Sequence, residues 1–196
     1  MLLLSAAAAA ADRAALVESL RDGGYVVYFR HAQTDWADPD RLASEADLAS
    51  CDRNRMRQLS ARGRATARAV GQAMARLAIP VAAVFASPYC RAVETAELLG
   101  LQPVQITRDI LNLRAAHYAG GREAVERTAR TRLSTPPARR AERRAGRSRQ
   151  RVPAGGRPPE AGAALVRPTG DGDFEVIGVL SAEDWIEVAA MVSGGG

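Results

Sequence analysis

The chain has 196 residues, of which 47% are hydrophobic and 5% aromatic, and a formal net charge of +5 at pH 7. That length and apolar fraction suit one domain with a sizeable core and exclude a disordered chain, and there is no run of about 18 strongly apolar residues to form a membrane-spanning helix. All 27 basic residues are Arg, and eight of them fall in residues 136–163 against Glu142 and Glu160, so the rest of the chain is close to neutral. An all-Arg basic set points to a GC-rich coding sequence, which weakens arginine abundance as an argument for nucleic-acid binding.

Residues 1–11, three leucines and a serine followed by alanines, read either as the remnant of a secretory signal lacking its basic start or as an alanine-rich helix start. Asp12 as N-cap and the spacing of Ala15, Leu16 and Leu20 predict a helix over 12–21, ended by Gly23-Gly24. Residues 25–29 are β-favouring and predict a first strand, followed by a loop over 34–50. Ser60 is the expected N-cap of a helix that places Val70, Ala73, Met74 and Leu77 on one face and stops at Pro80. Residues 81–86 predict a second strand. Ser87-Pro88 should open the next helix with Pro at its first position, and Gly100 should close it. A short strand over 104–107 and a helix over 121–132 follow. This alternation predicts a three-layer α/β/α sandwich with a mostly parallel sheet.

The alternation then fails. Residues 136–163 are dominated by Arg, Ala, Pro and Gly, and Val152 is their only sizeable aliphatic side chain. Such a run forms neither a buried strand nor a helix with an apolar stripe. Regular patterning resumes at 164–166, turns at 169–173, and continues into a strand over 174–180, which predicts a hairpin. Ser181 should cap a last helix through 185–190, before a loose tail at 194–196. Residues 12–196 are therefore expected to form one domain carrying an irregular segment at 134–162. That segment also reads as out of frame or decayed, with the frame restored before Ala164. Resequencing the gene refutes this if no single-base insertion or deletion recovers an apolar strand ending in His.

Two short signatures carry chemistry. In the first, the strand ends on Arg30-His31, followed by Ala32, Gln33 and Thr34. A guanidinium binds a phosphoryl group as a planar fork, and an adjacent imidazole can attack it; the blander reading is a hydrogen-bonded His beside a solvated Arg. In the second, Ser87-Pro88-Tyr89-Cys90-Arg91 lies where a strand turns into a helix. A helix start favours an anion, although Arg91 could equally pair on the surface with Glu94 or Glu97. Cys51 and Cys90 are too few to build a zinc site without clustered His. In an exported chain they could pair, and in the cytosol they would stay free thiols; their spacing does not decide between the two.

Taken in this order, the signatures resemble the histidine phosphatase superfamily, the phosphoglycerate-mutase-like proteins. The resemblance rests on Arg30-His31-Ala32-Gln33-Thr34, on Leu59-Ser60-x-x-Gly63 and on Ser87-Pro-x-x-Arg91, and it spans residues 24–113. Cys51 and Pro88-Tyr89-Cys90-Arg91 further resemble a bacterial, often exported branch, which favours a periplasmic location over a cytoplasmic one. The resemblance implies a phosphohistidine at His31 formed by attack on a phosphomonoester. Arg30 and Arg91 would bind the phosphoryl oxygens and Thr34 would assist, with no metal or other cofactor. The implied substrate is a small phosphorylated molecule or a phosphoprotein.

One family element has no match. The family places a second His late in the chain, after an apolar strand, whereas the only other His here is His117, in 113–119 with no strand before it. His117 is expected to be a surface or loop residue. Asp109 and Glu123 are proton-donor candidates by proximity in sequence alone. Losing one charged donor to the transferring phosphoryl group costs on the order of 3 kcal/mol, about 100-fold in rate, so impaired turnover is expected. The alternative is a non-catalytic relic that still binds phosphate. Nucleic-acid binding through residues 139–157 is disfavoured, because that run has no aromatic residue for stacking. Neither substrate identity nor oligomeric state is legible.

Overall fold

A computed structural model describes residues 2–137 and 157–193. Helix α1 spans Leu2–Arg21, so Asp12 lies inside it instead of capping it; the alanine run has the strongest helix propensity of any residue type and extends the helix N-terminally. It ends at Gly23 and Gly24, whose φ values of +71° and +85° suit glycine. Strand β1 (Val26–Phe29) follows. A loop containing a 3-10 turn at Glu45–Ala49 leads to α2 (Ala61–Arg76). The Ser60 hydroxyl accepts from the Gly63 N–H at 3.0 Å, as its N-cap assignment requires.

Strand β2 (Val84–Ala86) leads to α3 (Cys90–Leu99). Pro88 is not the first residue of this helix: Tyr89 is still extended (φ −57°, ψ 127°), and helical geometry starts only at Cys90. Gly100 closes α3 with φ +65°. Then come β3 (Val104–Ile106), a 3-10 turn at Leu113–Ala119 and α4 (Arg122–Ser134). Of the irregular stretch expected at 134–162, residues 138–156 lie outside the described residues. Strands β4 (Ala163–Pro168) and β5 (Phe174–Leu180) form the expected hairpin, and α5 (Ala182–Ser193) ends the described chain. A box at Ser181 starts α5: its hydroxyl accepts from the Asp184 N–H at 3.1 Å while its own N–H donates to Asp184 Oδ2 at 2.8 Å.

The class is α/β, but the expected mostly parallel sandwich needs correction. The strands form two separate sheets, one of order β1-β4-β5 and antiparallel throughout, the other a parallel pair β2-β3. The hairpin folds back so that Val26 faces Val166 and Phe29 faces Ala163. Among the described residues, β1 borders one side of the space between the two sheets and β2 the other. The physical reason is that, among the described residues, no strand lies between β1 and β2 to join the two sheets.

The main core is built from Val17 and Leu20 of α1, Val70 and Met74 of α2, Leu165 and Leu180 of the hairpin, and Trp185 and Val188 of α5. Trp185 stacks on Phe29 of β1 with ring centroids 6.2 Å apart, which anchors β1 just before Arg30 and His31. A second cluster of Leu48, Met56, Tyr89, Leu111, Ala115 and Val125 lies beneath the loops around the site. Cys51 and Cys90 form a disulfide with Cα atoms 5.4 Å apart, tying the loop before α2 to the first residue of α3.

Candidate active site

The chain leaves β1 at Arg30 and His31 and is clamped from two directions. Arg30 N–H donates to Gly162 O at 3.0 Å, and Ala161 N–H donates to His31 O at 3.2 Å. The segment entering β4 therefore closes over the end of β1, with Ala161 in the left-handed region at φ +58°. On the other side, residues 33–35 pair with 58–60. Ser60 N–H donates to Gln33 O, Asp35 N–H donates to Gln58 O, each at 3.0 Å, and Thr34 bridges to Leu59. The first and second motifs are thus stitched together by backbone hydrogen bonds. The third joins through Thr95, whose hydroxyl accepts from Ala32 N–H at 3.0 Å and donates to Arg91 O at 2.7 Å.

These clamps bring Arg30, His31, Thr34 and Arg91 around one pocket of about 160 Å³. His31 Nδ1 lies 2.9 Å from Ala32 O. A carbonyl only accepts, so Nδ1 carries the proton and Nε2 keeps its lone pair. Burial, opposed by that hydrogen bond and reinforced by the charges of Arg91, Arg30 and Arg157, lowers the imidazole pKa from 6.5 to about 4. The ring is therefore neutral at physiological pH, as a nucleophile must be.

The guanidiniums are engaged by carboxylates. Arg91, only 8% exposed, donates to Asp40 Oδ1 at 3.0 Å and Oδ2 at 3.5 Å. It also packs over the Tyr89 ring at 4.4 Å. Arg114 donates to Asp40 Oδ2 at 3.0 Å, so Asp40 takes one guanidinium from each side. Arg30 reaches Glu160 at 3.3 Å and leaves its buried Nε without a partner. Arg57 sits over the exposed Trp36 ring at 4.2 Å, also with an unpartnered, buried Nε. With Arg157, the described residues of the pocket include five arginines against two carboxylates, Asp40 and Glu160. That excess of positive charge, with unspent N–H donors, suits a multiply charged oxyanion.

Arg57, Arg114, Arg157 and both carboxylates were not singled out from sequence. Arg57 carries the one available signal, since it directly precedes the Gln58-Leu59-Ser60 stretch. His117 is exposed on the 3-10 turn against Tyr118, with ring centroids 3.9 Å apart, outside the pocket. Asp109 pairs with Arg132 at 2.7 Å, and that hydrogen bond holds its carboxyl below the usual range. It lines the space between the two sheets, not the small pocket, and an ionised carboxylate donates no proton. Glu123 lies on α4 and is 3.9 Å from Arg127. No group of three or more His, Cys, Asp or Glu arranged to hold a metal ion occurs among the described residues. No described helix is long and apolar enough to cross a membrane.

The family model of the histidine phosphatase superfamily (branch 1) matches residues 26–157. Sequence comparison with curated proteins finds no match. Among solved structures, the protein histidine phosphatase SixA in complex with tungstate aligns at 15% identity with a TM-score of 0.46, over 82% of this chain and 98% of that one. The SixA structure from Agrobacterium tumefaciens aligns at 16% identity and TM-score 0.45, over 81% of this chain and 98% of that one. The SixA structure from Nakamurella multipartitia aligns at 18% and 0.41, over 79% and 94%.

Proposed function

The chain belongs to the histidine phosphatase superfamily, branch 1, and on that premise we propose that it hydrolyses phosphomonoesters through a phosphohistidine at His31. The observation that carries this reading is the neutral imidazole of His31, its Nδ1 held by Ala32 O, on the wall of a pocket rich in guanidiniums. Substrate phosphate displaces Asp40 and Glu160, and Arg91 and Arg30 take its non-bridging oxygens. Nε2 then attacks phosphorus. The N–P bond forms as the bond to the leaving oxygen breaks, and that oxygen takes up a proton from solvent. Water next attacks the phosphohistidine, releasing inorganic phosphate and restoring the imidazole. The arginines stabilise charge on the transferring group at both steps, which is where most of the rate gain arises.

Thr34 is buried beside this path and orients the loop that carries His31. A small phosphorylated molecule or a phosphoprotein is the proposed substrate class, and no metal is assigned a role. The Cys51–Cys90 disulfide supports an oxidising, exported setting. Turnover is proposed to be slow, because the chain's only other histidine lies outside the pocket, and the same observation favours a phosphate-binding relic as second reading. The test is hydrolysis of an aryl phosphate by wild type and His31→Ala, with labelled phosphoprotein trapped by an alkaline denaturing quench. Activity and an acid-labile label, both lost in His31→Ala, support the enzyme. Saturable phosphate binding by a folded wild type without turnover or label supports the relic.

A further inference from the structure

The segment that carries His31 is tied to α3 by a side chain that none of the three motifs contains. Thr95 is buried and lies four residues after Arg91, so the two stand on one face of α3. A hydroxyl has one proton to donate, and Thr95 donates it to Arg91 O at 2.7 Å. What remains to it is to accept, and it accepts from Ala32 N–H at 3.0 Å. The carbonyl of Ala32 in turn accepts from His31 Nδ1 at 2.9 Å. Hydrogen bonds therefore run from the His31 ring through Ala32 and Thr95 to the backbone of Arg91. The other clamps lead elsewhere: Arg30 and His31 are tied to the residues entering β4, and Gln33 to the start of α2. Helix formation does not explain Thr95, because threonine is a weak helix former and its bond to a carbonyl four residues back slightly destabilises a helix.

We propose that Thr95 is a positioning residue for phosphoryl transfer, setting the His31 ring against Arg91 through the backbone of Ala32. The inference rests on the phosphohistidine reading above, in which Nε2 approaches phosphorus in line while Arg91 holds the non-bridging oxygens. His31 follows β1 and Arg91 belongs to α3, so neither element alone sets the spacing of imidazole and guanidinium. A misplacement of about 1 Å costs on the order of 100-fold in rate. Thr95 does not line the pocket and supplies no atom to the reaction. It holds Ala32 in place, and Ala32 O keeps the ring proton on Nδ1, so Nε2 retains the lone pair that attacks. Without the hydroxyl, the buried Ala32 N–H has lost its acceptor, and the backbone shifts to find another. That shift carries Ala32 O away from Nδ1.

The test compares Thr95→Val, which removes the hydroxyl at nearly constant shape, with Thr95→Ser, which keeps it. The full chain is labelled with nitrogen-15 in histidine, and the two rings are read by NMR near neutral pH, with exposed His117 as the internal reference. Wild type and Thr95→Ser should show His31 as the single tautomer protonated on Nδ1. Thr95→Val should show a mixture with the Nε2-protonated form, while His117 is unmoved. In aryl phosphate turnover, Thr95→Val should lower kcat about 100-fold with KM changed less than about threefold, and Thr95→Ser should restore kcat to within about threefold. A folded Thr95→Val with the wild-type His31 tautomer and wild-type kcat overturns the proposal, as does a Thr95→Ser variant as impaired as Thr95→Val. Should Thr95→Val not fold, Thr95→Cys, whose sulfur is a weak acceptor, carries the same expectations. A wild type without turnover refutes the enzyme reading and not this one. The tautomer then decides, together with inorganic phosphate binding, which Thr95→Val should weaken about tenfold and Thr95→Ser should leave near wild type.

Discussion

At the residue scale, the proposed phosphate site sets the pocket's own carboxylates, Asp40 and Glu160, in competition with the incoming phosphate. Asp40 neutralises Arg91 and Arg114 together, so Asp40→Asn should tighten inorganic phosphate binding about tenfold by calorimetry, since one negative charge near the dianion is gone. The same change should lower the thermal stability of the phosphate-free protein, because buried Arg91 loses its ionic partner. His31 provides the second prediction. Its folded pKa, lowered by burial to about 4, lies below the unfolded value of 6.5. The unfolded chain therefore takes up the proton first as pH falls. The stabilisation is complete above about pH 6.5, is lost progressively down to about pH 4, and is at most about 3 kcal/mol. Wild type should lose stability relative to His31→Ala over that window, and the acid limb of kcat/KM should lie near pH 4. Arg30, His31, Thr34 and Arg91 were legible because each sits in a short, locally ordered motif. Arg57, Arg114 and Arg157 were not, because they come from three separate segments that meet only through long-range contacts.

At the element scale, helix α2 sets the spacing of the site through two glycines. A Cβ on Gly63 would lie 2.0 Å from Gln33 O, and one on Gly71 would lie 2.0 Å from Leu99 O. Both neighbours are backbone, so neither can rotate away. Gly71→Ala should push α2 from the end of α3 and destabilise by about 1–3 kcal/mol in urea unfolding. Gly63→Ala should cost a similar amount and, in addition, weaken phosphate binding, because the displaced loop carries His31–Thr34. The helices themselves were legible from caps and apolar spacing, as at Ser60 and Gly100. The sequence places the start of α3 two residues early, because Pro88 fits a helix start locally while Tyr89 stays extended to pack its ring beneath Arg91.

At the scale of the whole molecule, one disulfide ties together the segments that hold the site. The Cys51–Cys90 link closes a sequence separation of 39 residues, for which loop-closure entropy gives about 4 kcal/mol. Reduction, or Cys51→Ser with Cys90→Ser, should lower the melting temperature in calorimetry and weaken phosphate binding, because Cys90 adjoins Arg91. Sequence by itself determined the α/β class, the hairpin and the Arg30-His31 motif at the end of β1, since each follows from local periodicity, turn chemistry or contiguous residues. It also signalled that residues 136–163 offer no apolar central strand. Only the tertiary structure decided that the two cysteines pair and, among the described residues, that β1 joins the hairpin while β2 pairs with β3, and that five arginines share one pocket. Those outcomes depend on which distant segments meet, and strand pairing and charge clustering across the chain leave no periodic trace in it.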